Sequence, residues 1–522
     1  MKKIIKFIVV VGTLGLLSQA CSLDRFPTDR VVLENAFLTF EDAVRFHNGL
    51  YNELRRCHYG VFTTTSELMS DLFNARRDFG NRGGMPHQLG TDFAGSYEIR
   101  DIWGNVFASI AQVNFFLNNI GSIDDLTTTQ QISVDNFIAE AHYIRAFLYT
   151  ILAGHYMYPY SVANRNTPEL GLPLVTIFDI QQRASRATIA ETFAFILSDL
   201  DAAKHVEREG APGERRVSQD AVHALMARVL FMMRDNVRAA HYANLVINTD
   251  RYPLVTTEAA LRVMWTRDIS SEDIFLLDVT ATSFGTAAVG AGANFNDAGL
   301  TSTWTANHSA GGGGMGIFAA VNAAAGGYHP DFIPTQAVLD LYAANDIRLN
   351  VFFSDPVDQP LILGTSPFPG VRFLYKFRGN LDIGVMYLHR PRVHRIAEMY
   401  LIAAEAEQNL DRLNELRVAR GLDALAAWDE QELRNEWVRE FIGEGFRIQS
   451  LRRWGIEGLS HWGLGASIGR LPQDPMSVHN FGMPDYTNRI ITETDFYRFT
   501  LPIPQDELRN NANMRQTPSW QN

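Results

Sequence analysis

A chain of 522 residues with 46% hydrophobic and 20% charged residues can bury substantial cores and is not a disordered or low-complexity protein. Its formal net charge of -12 gives it no reason to seek nucleic acid or anionic lipid. Only two cysteines occur, Cys21 and Cys57, so no disulfide framework holds the fold.

The chain opens with Lys2, Lys3 and Lys6, an apolar run from Phe7 to Leu17, and then Ser18-Gln19-Ala20-Cys21. A basic start, a short apolar stretch and small residues at a cleavage point are the layout of a secretory signal peptide. The apolar run is shorter than the roughly 20 residues a spanning helix needs. Leu17–Cys21 resembles a bacterial lipobox. Residues 1–20 are therefore predicted to be a leader and Cys21 the lipidated first residue of the mature protein, anchored to a membrane without crossing it. Removing the leader takes away three lysines and no acid, which makes the remainder more negative still. A lipidated Cys21 also leaves Cys57 without a disulfide partner.

Phe40, Ala43, Val44, Leu50, Tyr51 and Leu54 recur at helical spacing and predict a helix over 37–56. Residues 58–96 then lose periodicity and fill with turn formers and side chains suited to recognition. A stretch of that length inside a compact fold is usually functional, so Asp71, Asn74, Arg76, Arg77, Phe79 and Arg82 are candidate ligand contacts. Helical patterning resumes over 97–120 and, past Gly121, over 134–158. In that second helix Glu140 and Arg145 stand among apolar residues, and each is expected to pair with a charge on another helix, such as Glu398 or Glu405. Helices follow over 188–203, 219–233 and 237–248, the last two resembling a tetratricopeptide-type hairpin.

The middle of the chain, 272–334, is poorest in helical signal: a strand-like run Ile274–Val279, then Gly and Ala clusters that include Gly311–Gly314. No Lys-Ser/Thr follows those glycines, so they do not form a phosphate loop. Trp304, His308 and Tyr328 lie in this segment as aromatics of the kind that stack on sugar rings, and they complete the candidate contacts. Beyond it the pattern predicts a helix over 335–349, a strand over 372–377, helices over 393–410 and 413–422 with Gly421 as stop signal, and a helix over 429–454. Pro502 and Pro504 fix an extended tail.

No catalytic constellation emerges. Glu398, Glu405 and Glu407 share a helix at spacings that do not make an acid/base couple. Histidines lack zinc-ligand spacing, no serine sits on a nucleophile elbow, and Cys57 and His58 are adjacent in sequence only. The expectation is a protein that is not an enzyme and needs neither cofactor nor metal. Past the leader only Lys204 and Lys376 are lysines, so nearly all positive charge is arginine, read here as compositional bias.

Several stretches together resemble the SusD/RagB family of Bacteroidota outer-membrane lipoproteins: CSLDRFPTD at Cys21–Asp29, EAHYIRAFLYTILAGHY at Glu140–Tyr156, RIAEMYLIAAEA at Arg395–Ala406, LNELRVARGL at Leu413–Leu422, REFIGEGFRIQSLRRWG at Arg439–Gly455, and LPIPQDEL from Leu501. Ser450 stands where the fifth block usually carries an acid, and the chain ends QTPSWQN in place of an Asn-Pro pair with a closing Tyr; both departures fall in scaffold blocks. The resemblance implies a mainly helical fold, with tetratricopeptide-like helix pairs carrying a loop-rich ligand-binding face and a few short strands, in one SusD-like domain over 21–522. It implies a cell-surface protein that captures oligosaccharides and delivers them to a SusC-like TonB-dependent transporter, or, as the alternative, a RagB-like peptide binder. Arg76, Arg77 and Arg82 would suit an acidic glycan.

Overall fold

The computed structural model describes residues 36–58, 60–75, 86–87, 93–179, 181–279, 318, 321–322, 327–328, 330–363, 366–368, 370–377, 379–382, 385–386, 389–455, 468–470, 489–491, 496 and 498–521. The leader and Cys21 lie outside these residues.

Helices carry most of the described chain. Helix α1 spans Phe40–Arg56, α2 Val61–Met69, α3 Tyr97–Asn119, α4 Thr128–Tyr156, α5 Ile189–Ala203, α6 Gln219–Met232, α7 Asn236–Ile247 and α8 Glu258–Arg267. Near the other end come α9 (Gln336–Leu339), α10 (Leu349–Phe352), α11 (Ile396–Glu407), α12 (Leu410–Ala419), α13 (Glu430–Phe441), α14 (Phe446–Trp454) and α15 (Gln505–Asn510). Reciprocal capping boxes start three of them, Thr39 with Asp42, Thr127 with Gln130 and Thr188 with Glu191, each satisfying two otherwise unpaired backbone or side-chain groups. The Thr127 box is why α4 begins at Thr128, earlier than its apolar stripe suggests.

Helices α3, α4 and α5 pack in succession, α1 lies on α3 and α4, and the α6–α7 hairpin packs on α11, which in turn meets α12. Their apolar faces merge into one large core that includes Ile144, Leu148, Phe193, Leu225 and Ile402. A second, smaller core of Leu68, Phe73, Trp265, Phe332, Phe352, Phe353, Leu374 and Phe377 lies under the irregular segments. Short strands dress this side. Strand β1 (Phe73–Ala75) pairs antiparallel with β5 (Phe332–Pro334), and β2 (Asp273–Leu276) pairs with β10 (Arg392–Arg395) across a bulge. Strands β3 (Val321–Asn322), β4 (Gly327–Tyr328), β6 (Leu361–Leu363) and β7 (Ser366–Phe368) form a sheet in that order. Two further pairs join β8 (Gly379–Asn380) to β9 (Val385–Met386) and β11 (Ile468–Arg470) to β12 (Arg489–Ile491).

The structure corrects several expectations. Glu140 binds His47 at 2.9 Å, the Tyr51 hydroxyl, Arg208 and Arg216, while Arg145 forks onto Asp199 at 2.8 and 2.7 Å and reaches Asn114. Neither meets Glu398 or Glu405, which hold Arg228 and Arg453. The reason is packing: α4 lies against α1, α3 and α5, and α11 against α7. Of the predicted helix over 335–349 only the single turn α9 forms, with α10 beginning at its last residue, and between them Asp346 accepts from the Arg348 backbone and guanidinium. The predicted strand over 372–377 joins no sheet: Leu374 makes one isolated bridge to Phe353, and Lys376 and Phe377 form a turn. The predicted helix over 429–454 breaks into α13 and α14 at Gly443 and Gly445, both at left-handed φ of 82° and 86°. Helix α2, inside the segment read as irregular, has every residue buried and hence no polar face to mark it.

Candidate functional site

The two irregular segments meet. Asn74 of β1 faces Ile333 of β5, Phe73 packs its ring on Phe318 at 4.6 Å, and His87 meets Phe332 edge-on at 5.4 Å. A few residues before β5, Tyr328 is held on β4 by its N–H donating to the Pro360 carbonyl at 3.0 Å. Its half-buried ring lies 5.2 Å from Phe373 and 5.3 Å from Tyr375, nearly perpendicular to the latter, and the two tyrosine hydroxyls are 2.8 Å apart. Phe373 and Tyr375 are both buried, so Tyr328 is the outer member of a rigid aromatic set with a hydroxyl pair at its edge. Such a set can take the apolar face of a sugar ring and bond its hydroxyls.

A buried charge lattice underpins this face. Glu440 accepts from Arg348, Arg395 and Arg420, which hold its carboxyl well below the usual range despite burial. Glu444 takes Lys376 at 2.7 Å and Arg395 at 2.8 Å, and Glu272 takes Arg420 at 2.7 and 2.9 Å. Lys376 itself is wrapped by Trp265 and Phe352 at 4.3 and 4.2 Å, and burial pushes its amine down to about 8. The arginine excess thus has a use: forked donors tie β10, α12 and α13 together where a lysine's point charge would not. These carboxylates are engaged, with no free pair facing a cleft. The same holds on α11, where Glu405 receives Arg453 and the Trp454 indole N–H. Cys57 is fully buried against Ser109 at 3.3 Å, and burial pushes its thiol up to about 12, while the neighbouring His58 ring bonds the Arg392 carbonyl. Among the described residues no group of three or more His, Cys, Asp or Glu is placed to hold a metal ion. No described helix is long and apolar enough to cross a membrane.

Of the candidate contacts, the structure places Tyr328 at the edge of the aromatic set and Asn74 on the strand that joins the two segments. Asp71 is buried and bonded to Arg447. Arg76, Arg77, Phe79, Arg82, Trp304 and His308 lie outside the described residues. Phe373 and Tyr375 are partners of Tyr328 that the sequence does not single out, because aromatics two apart in a run signal only a strand.

Two family models match the chain, one described as the SusD family over residues 368–520, the other as starch-binding, associating with the outer membrane, over residues 45–231. The chain belongs to the SusD family. The SusD fold also recurs in solved structures along nearly the whole length. A SusD superfamily protein from Bacteroides thetaiotaomicron is 21% identical with a TM-score of 0.69, covering 92% of this chain and 100% of its own. A surface glycan-binding protein A from Bacteroides fluxus is 18% identical with a TM-score of 0.64, covering 92% and 99%. A laminarin-binding SusD-like protein is 18% identical with a TM-score of 0.63, covering 92% and 99%. At such identities the SusD likeness is one of fold. No curated protein matches this chain in sequence.

Proposed function

We propose that this SusD-family chain captures oligosaccharides at the cell surface and delivers them to a SusC-like TonB-dependent transporter in the outer membrane. Residues 1–20 are the removed leader, lipid on Cys21 is the anchor, and residues 21–522 act as one binding domain without a catalytic step. The observation that carries the reading is the Tyr328–Tyr375–Phe373 set, whose Tyr328 lies a few residues before the strand that joins the two irregular segments. Asn74, Arg76, Arg77, Phe79, Arg82, Trp304 and His308 are proposed to extend the contact surface around it, with Asp71 supporting it from beneath. The fold shared with a laminarin-binding protein and a surface glycan-binding protein supports glycan as the ligand class. Carboxylates occupied by arginines support capture without turnover.

Screening the mature chain against neutral and acidic oligosaccharides, followed by titration calorimetry of the best binder, tests the reading. Tyr328→Ala is expected to weaken binding about tenfold or more, since stacking and a hydroxyl contact are lost together, while Tyr328→Phe retains part of the affinity. Absence of binding to every glycan, with defined peptides retained in its place, would refute it. Co-extraction of a β-barrel transporter with the lipidated chain tests the delivery step.

A further inference from the structure

A second cleft opens on the helical body, away from the aromatic set. It has a volume of about 350 Å³ and lies between the segment after α4, the turn joining α6 to α7, and the end of α14. A smaller adjoining cavity of about 40 Å³, the neck, shares Tyr158, Pro159, Tyr160, Arg234 and Arg452 with it. In a chain of net charge -12, the described residues lining cleft and neck include Arg234, Arg452 and Arg453 and no Asp or Glu. Arg453 is already neutralised by Glu405. Among the described residues the other two arginines have no carboxylate partner.

Arg452 is only 5% exposed, and its terminal nitrogens donate to the Gly154 and Met157 carbonyls at the end of α4. Those bonds fix the guanidinium plane, yet Nε–H has no partner among the described residues. A buried donor left unbonded costs free energy unless a ligand or water completes it. Burial pushes this guanidinium down to about 10, with no acidic group offsetting it. Arg234 stands at the mouth in left-handed backbone, φ 57°, an uncommon conformation for a non-glycine residue, and it is anchored through the Arg453 carbonyl at 2.8 Å. Tyr158, Tyr160 and Asn164 supply apolar faces and polar edges beside the two cations.

We infer that this cleft is a second binding site, built for a sugar unit that carries a carboxylate. The carboxylate sits between Arg234 and the Nε–H of Arg452, and the ring lies against the tyrosines. The ligand class, sugar, is taken from the glycan-binding reading above; the anionic group is argued from the cleft alone.

The test is titration calorimetry of the full mature chain with a galacturonic acid oligosaccharide, with its methyl ester, and with a neutral glucan. The acid form is expected to bind, the ester at least about tenfold more weakly, because the charge-assisted bonds are lost. Arg234→Glu, on an exposed residue that bears no core packing, is expected to abolish acid binding. Neutral glucan binding, which Tyr328→Ala weakens, persists in that variant. Arg452→Lys keeps a cation for the α4 carbonyls and removes Nε–H, so it should weaken the acid as well. Equal affinity for acid and ester, undiminished acid binding in Arg234→Glu, no heat with the acid at millimolar concentration, or equally good displacement by inorganic sulfate would each overturn the inference. Loss of neutral glucan binding alone would instead count against the function proposed for the Tyr328 face.

Discussion

Asp71 receives both forks of the Arg447 guanidinium, Nε to Oδ1 at 2.7 Å and Nη2 to Oδ2 at 2.5 Å, with hardly any of either side chain reaching solvent. The pair ties the residues leading into β1 to α14, and so fastens the irregular face to the helical body. Asp71→Ala leaves a buried guanidinium without its carboxylate, a loss of roughly 3–5 kcal/mol. Urea unfolding is expected to show a clear drop in midpoint. A variant as stable as the parent would remove Asp71 from the scaffold and return it to the ligand surface.

Glu67, on α2, is fully buried; its Oε1 accepts from the Gly445 N–H at 2.6 Å and its Oε2 has no partner. Burial pushes its carboxyl up to about 7. A raised carboxyl favours the folded state while protonated, so its contribution is complete below about pH 4.5 and is lost as pH rises through 7. Glu67→Gln keeps the acceptor for Gly445 and never ionises. Its stability advantage over the parent should grow between pH 5 and pH 8, to at most about 3 kcal/mol. Denaturation curves at the two pH values check this, and a pH-independent offset would contradict it.

Gly421 follows α12 at φ 84°, and a Cβ there would come within 2.4 Å of the Asn345 carbonyl oxygen. Gly421→Ala therefore combines left-handed strain with a backbone collision that no side-chain rotation relieves, and is expected to cost about 1–3 kcal/mol. Thermal unfolding measures it. An unchanged midpoint would mean that the loop around Asn345 yields freely.

Cys57 should be inert in the folded protein, since a thiol pushed up to about 12 and closed off from solvent offers almost no thiolate. Iodoacetamide at pH 8 is expected to leave it unmodified natively and to alkylate it in urea, with mass spectrometry as the readout. Rapid native labelling would reveal local opening of the α1 end.

The helical scaffold was legible because caps and apolar stripes are local: Thr188 and Gly421 each stand at an end that the structure keeps, whereas the first helix, predicted from 37, starts only after the Thr39 cap. Partners were not legible. Glu140 and Arg145 announced buried charge, but which helix answers depends on how the chain crosses itself, and His47 and Asp199 are far away in sequence. Helix α2 escaped because burial on all sides erases periodicity, and α8 escaped although Thr257 caps it and Leu261, Met264 and Trp265 carry its stripe. At the candidate site Tyr328 was found by residue type alone. Phe373 and Tyr375 were not, because their use depends on a strand pairing that brings distant segments together. Arg452 lies within the Arg439–Gly455 block, and nothing in its sequence neighbourhood reveals that it faces no carboxylate among the described residues.

The caging of Lys376 gives this protein an unusual chemical simplicity. Of the two lysines among the described residues, Lys376 is sealed between Glu444 and aromatic rings, while Lys204 rests on Asp201 at the end of α5 with a third of its side chain in solvent. Once residues 1–20 are removed and the α-amine is blocked, amine-reactive dyes or surface-coupling esters find one exposed lysine, Lys204, so a labelled population is uniform. An immobilised one presents every molecule in the same orientation, which turns a scarcity in composition into a ready-made handle for single-molecule and sensor measurements.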